Sequence, residues 1–207
     1  RPPGPVSGAP LPLSGGAENT EAVRVQWRVP LYSPRSLPLV GMMPDEMAEN
    51  IRRTSRGASD LKTIDPGEVV PVFAITDAVR DGKVEAGYTW LGYDQGKIPA
   101  SPLISSIPFG MEPIEFVGWW LMGGGKELGE ALYHPHNVHP VLCGMIGPET
   151  AGWFKAPLQS MEDLDGLKIR FAGLGGKILE LAGATVTVLP AGEIFQALEK
   201  GAIDASE

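Results

Sequence analysis

One cysteine in 207 residues, Cys143, leaves no internal disulfide framework and no CxxC spacing for a metal. Set among Val141, Leu142 and Met145, it reads as a small core hydrophobe. Cations are also scarce: 17 Lys and Arg stand against 25 Asp and Glu, and the net charge of −8 disfavours nucleic acid or an anionic membrane as partner. No apolar run nears the roughly 20 residues of a membrane-spanning helix. The richest, Phe116 to Met122, ends in three glycines. Nor is any nucleophile paired with a base, since there is no GxSxG, and the GLGGK at Gly173–Lys177 lacks the spacing of a phosphate loop and its Ser or Thr. These absences point away from catalysis.

What is present is a globular composition, 43% hydrophobic and 20% charged, long enough for one large or two small domains. Residues 1–21 are rich in Pro, Gly, Ser and Ala and read as a flexible tether, such as a cleaved signal peptide leaves behind, although no signal peptide is visible in the sequence. From Val23 the chain alternates. A strand with period two runs Val23–Val29, a helix Pro44–Arg56 carries acids at its start and arginines at its end, and Leu61–Ile64 is a second strand. A helix over Pro71–Asp81, a third strand over Val84–Trp90, and a helix over Glu112–Met122 follow. The glycines 123–125 mark a change of domain. Beyond it lie a helix at Lys126–Leu132 and strands near Val138–Ile146 and at Trp153–Phe154. All three histidines fall in HPHNVH (His134, His136, His139), where Pro135 and Pro140 favour a polar loop over a zinc site.

The last stretch has βαβα grammar: a strand at Leu167–Phe171, a GLGG turn, a helix at Lys177–Ala182, a strand at Thr185–Leu189, and a helix stopped by Gly201. Arg170 is the odd residue, because a guanidinium within an apolar strand requires an anion. That anion is either a protein carboxylate or a ligand carboxylate held in a bidentate fork, and the place of Arg170 before a Gly-rich turn is one where open parallel sheets put ligands.

MEDLDGLKIRFAGLGG (Met161–Gly176) and LPAGEIFQALEKGAIDASE (Leu189–Glu207) resemble the solute-binding proteins of tripartite ATP-independent periplasmic (TRAP) transporters, the DctP family. The resemblance extends through DPGEVVPVFAITDAVRDGKVEAGYTW (Asp65–Trp90), GKIPA (Gly96–Ala100), IPFGM (Ile107–Met111), GGGKELGEALY (Gly123–Tyr133) and GWF (Gly152–Phe154), and is strongest to the branch binding 2-oxo and 2-hydroxy monocarboxylates. It implies an α/β, two-lobed periplasmic-binding-protein-like fold, with lobe I at residues 22–122, lobe II at 123–207 and a ligand cleft between them. It implies a periplasmic protein, with no catalytic cofactor, that hands a small carboxylate such as pyruvate or lactate to TRAP membrane subunits. The family's carboxylate-binding arginine falls on Arg170, its acidic ligand on Glu207, and a cleft tyrosine on Tyr93. Trp153, Phe109 and Trp119 are expected as walls. The position three before Gly152, usually Gln in this branch, is Glu149. With Arg170, Glu207 and a bound carboxylate it makes a cluster of net charge −2, which a cation would offset, calcium sooner than sodium. Glu149 and Glu207 are therefore the expected metal ligands. Family members continue past the equivalent of Glu207 with return strands and a long helix used in dimers, so lobe II is expected to be incomplete. The competing expectations are an α/β enzyme binding phosphate at the Gly-rich turn, and an interaction module in which Arg170 meets only a protein acid.

Overall fold

The computed structural model describes residues 25–207; the expected tether lies outside them, as does Val23. The strand β1 (Val25–Pro30) pairs in parallel with β2 (Ser59–Ile64), in a register running from Val25↔Ser59 to Pro30↔Ile64. Helix α1 (Met43–Thr54) makes the crossover between them. Pro44 presets its first turn, Asp45 and Glu46 face the positive end of its dipole, and Arg52 and Arg53 face the negative end.

The third strand expected over Val84–Trp90 reduces to one bridge, Leu31↔Tyr88. Its loss has a local cause. The Glu85 carboxylate accepts the Arg28 backbone N–H (2.9 Å) and grips the Arg28 side chain (3.0 and 2.7 Å), taking the donor that a strand carbonyl would need. Those bonds hold the Glu85 carboxyl down at about 2. Helix α2 (Ile75–Arg80) follows a 3-10 turn at Val72–Ala74.

Helix α3 (Pro113–Met122) opens on a capping box in which Glu115 accepts the Glu112 N–H at 3.0 Å. It turns through Gly123–Gly124 into α4 (Gly125–Tyr133). Beyond these glycines Tyr133 is fully buried with Ile98 and Ile104, and Leu132, Val138 and Trp119 close around them. Helices α3 and α4 thus share one core, against which the half-buried Trp119 packs. Residues 138–152 form no strand. Val141 and Ile146 are exposed there, and so is Cys143, which corrects its expected place in a core.

The second sheet has strand order β3 (Trp153–Phe154), β6 (Ala205–Ser206), β4 (Lys168–Arg170), β5 (Thr185–Thr187). β4 is parallel to both its neighbours, and β3 is antiparallel to β6. Ile169, Ala184 and Ala205 centre its core, covered by Phe154, Leu167, Phe171, Leu179 and Val186. The GLGG stretch is no free loop but the first turn of α5 (Gly173–Leu181), and α6 (Ile194–Glu199) ends before Gly201. Gly173 has φ +67°, and a Cβ there would lie 3.3 Å from the Trp90 ring, so Trp90 closes on α5 at its first residue. Gly201 shares φ +67° but has open space around it. Gly173→Ala is therefore expected to lower stability by about 1–2 kcal/mol and more than Gly201→Ala, which carries the conformational cost alone. Equal losses in urea unfolding would show that the Trp90 contact contributes nothing.

Candidate functional site

Arg170 ends β4, an inner strand with β5 on one side and β6 on the other, and its side chain is 7% exposed. Strand pairing sets its partner, because Arg170 registers with Ser206 and the Glu207 N–H then bonds back to the Arg170 carbonyl at 3.2 Å. The Glu207 carboxylate, 13% exposed, is ion-paired to Arg170 Nη1. Arg170 Nε donates to the Leu189 carbonyl at 3.1 Å, and Nη2 faces the Tyr93 hydroxyl at 3.5 Å, at the limit of a hydrogen bond. A protein carboxylate, one of the two anions the sequence left open, is thus in contact with Arg170. The guanidinium keeps its Nη2 edge weakly engaged and turned toward Tyr93.

Tyr93 reaches Arg170 from a 3-10 turn, Leu91–Asp94, whose next residue points the opposite way. Asp94 is 2% exposed and accepts the Thr76 hydroxyl (2.9 Å) and the Tyr133 hydroxyl (3.0 Å). The same turn thus anchors in the core at Asp94 and presents Tyr93 to the site. Edge-to-face contacts hold the Tyr93 ring: Phe73 at 4.9 Å, Trp90 at 5.1 Å and Tyr32 at 6.0 Å between centroids. Tyr32 stacks in turn on Tyr88 at 5.5 Å. These rings, with Asp94, are site features that the sequence reading missed. Asp94 carries no local signal, since its partners lie far off in the chain.

Burial dominates the electrostatics. It pushes the Glu207 carboxyl above its ordinary range, while Arg170 pulls it back and the charge of Glu149 pushes it further up. Burial likewise raises the Tyr93 hydroxyl, opposed by Arg170 and assisted by Glu207 and Glu149. Glu149 itself is exposed, yet its charge bears on Glu207, Tyr93 and Tyr32. Arg170, Glu207, Tyr93 and Glu149 therefore form one electrostatic group. Two carboxylates against a single guanidinium make an oxygen-rich, net-negative set suited to a hard cation.

The remaining expected residues differ. Trp153 on β3 is 74% exposed, beside Ser206 in the strand register. Phe109, with φ 59°, is fully exposed. No helix among these residues is long and apolar enough to cross a membrane.

Comparison with known proteins bears on this group of residues. A profile of the bacterial extracellular solute-binding proteins, family 7 (DctP), matches residues 32–207. A monocarboxylate 2-oxoacid-binding periplasmic protein of Nostoc sp. is 37% identical over 195 residues, covering 91% of this chain and 53% of its own length. A TRAP transporter solute-binding protein from Bordetella bronchiseptica, a mixed-occupancy dimer with calcium and picolinate, superposes with a TM-score of 0.86 at 32% identity, covering 90% of this chain and 55% of its own. Another from Pseudoalteromonas atlantica, with sodium and pyruvate, gives 0.85 at 30%, covering 89% and 56%. The chain spans about half the length of these relatives.

Proposed function

Because this chain belongs to the bacterial extracellular solute-binding proteins, family 7, we propose that it captures a small 2-oxo or 2-hydroxy monocarboxylate outside the cytoplasm and delivers it to TRAP membrane subunits. The observation that carries the reading is the pairing at the end of β4. A buried Arg170, held on one side by Glu207 and Leu189, keeps its Nη2 edge toward the Tyr93 hydroxyl at 3.5 Å, so that one ligand carboxylate oxygen could accept from both. Tyr93, Phe73, Trp90 and Tyr32 supply the apolar surface for the rest of a small ligand.

With the ligand bound, one positive charge faces three negative ones. Glu149 and Glu207 would hold a cation there, and it would supply electrostatic neutralisation of the ligand carboxylate. Relatives bind calcium in one case and sodium in another. A glutamate at position 149 adds a full charge and favours calcium here. The role is binding and not turnover, as it is for the family's solute-binding members.

In the protein that carries this chain, pyruvate with calcium is expected to raise the melting temperature, by a stabilisation of about 2.7 kcal/mol at a ligand concentration one hundred times Kd. Glu149→Gln should reduce the dependence on calcium and let sodium serve. The reading fails if no small carboxylate, with either cation, shifts the melt.

A further inference from the structure

Three metal-ligating side chains lie together at the far end of α4, outside the carboxylate site. Glu130 and His134 are four residues apart, so one turn of helix sets them on the same face. The chain then makes a 3-10 turn, His134–His136, and reverses at Asn137, which takes the left-handed conformation (φ 55°, ψ 35°). That reversal brings the His139 ring edge to edge with the His134 ring, their centroids 5.3 Å apart at 22°. The nearest nitrogens, His134 Nε2 and His139 Nδ1, are 3.0 Å apart, and His139 Nε2 is 3.8 Å from Glu130 Oε1. One ligating atom from each of the three lies within 4.8 Å of the others. Pro135 and Pro140 were expected to keep the histidines from aligning, but a turn aligns two of them without a helix. The corner is fixed from outside the cluster: Asn137 Nδ2 donates to the Arg80 carbonyl at 2.9 Å, and Val138 packs on the core around Tyr133.

We propose that Glu130, His134 and His139 bind a divalent transition ion of borderline softness, zinc in the first instance. Two imidazoles and a carboxylate are a zinc donor set, whose fourth position water would fill. Zinc–nitrogen bonds of about 2.0–2.1 Å in a tetrahedron separate the nitrogens by about 3.3 Å, close to their present separation, and binding requires the two exposed rings to swing so that lone pairs now facing each other converge on the ion. The set is wrong for calcium, which takes oxygen ligands and would find one carboxylate here. Lys126, with Nζ 3.6 Å from Glu130, is the competitor for the carboxylate, and its side chain is exposed enough to swing away. A bound ion would tie α4 to the segment that runs on to Glu149.

The test is calorimetric titration of zinc chloride into tag-free protein carrying Cys143→Ser, with calcium in excess to cover oxygen-rich sites. One saturable event is expected, with Kd on the order of 1–10 μM. His134→Ala and His139→Ala should each weaken it by about tenfold or more. In imidazole proton spectra, His134 and His139 should shift on adding zinc while His136, outside the pair, stays put. Unchanged affinity in His139→Ala, equal movement of His136, or no saturable binding below about 100 μM would leave only a hydrogen-bonded histidine pair and overturn the proposal.

Discussion

Arg170→Met is expected to destabilise the fold at pH 7 by about 3–5 kcal/mol, and adding Glu207→Gln should restore most of that loss. The reason is the burial of both partners, 7% and 13% exposed: removing the guanidinium leaves the Glu207 carboxylate enclosed without a counter-charge. The pH dependence has a definite sign. Burial already holds the Glu207 carboxyl above its ordinary value, and Arg170 is the largest influence drawing it down, so in the single variant it rises further. A carboxyl raised by folding contributes stability below its unfolded value, and that contribution is lost as pH rises through the folded value. The single variant should therefore regain stability between pH 7 and pH 5, more steeply than the parent. Urea unfolding at the two pH values checks this. Equal losses at both, with no recovery in the double variant, would mean that the ion pair is not what the fold depends on. Ligand binding by Arg170 is best judged by comparing the double variant with Glu207→Gln, in which no bare carboxylate confuses the result.

The second large effect is expected far from any ligand. Asp94→Ala should cost about 2–4 kcal/mol, because the Thr76 and Tyr133 hydroxyls both donate to the same Asp94 oxygen and would be left buried without an acceptor. Asp94→Asn keeps an oxygen and has no charge to desolvate, so about half that loss or less is expected. Because Tyr93 rides on the same turn, Asp94→Ala should also weaken carboxylate binding. A variant that unfolds early but binds with unaltered affinity at low temperature would separate the anchor from the site.

Much of the frame was legible where a local pattern and a long-range contact agree. β1, α1 and β2 carry period-two and period-3.6 apolar spacing with charges that suit the helix dipole, and they fold as read. Val84–Trp90 has a strand's composition, yet Glu85 takes the Arg28 N–H that pairing requires, a competition no single segment reveals. Glycines 173–176 look like a turn because glycine is the usual breaker, but packing against Phe171 and Trp90 winds them into helix. In the site, Arg170 announced itself as a charge in an apolar strand. Glu207, Tyr93 and Glu149 came from resemblance to a family, since each lies in a different element and only the fold assembles them. For His134 and His139 the closeness in sequence was visible, while Glu130 beside them and the left-handed Asn137 that brings the rings together were not.

The placement of β6 as an inner strand sets an order of events in folding. β4, α5 and β5 are neighbours in sequence as well as in space, so they can associate after closing a short loop. β6 must travel much further along the chain to lie between β4 and β3, joining Ile169 to Ala205 and Trp153 to Ser206. Contacts of such separation form late and slow the barrier crossing. The Arg170–Glu207 pair then closes after the βαβ unit exists, so substitutions in it should act chiefly on the rate of unfolding and leave the rate of folding little changed.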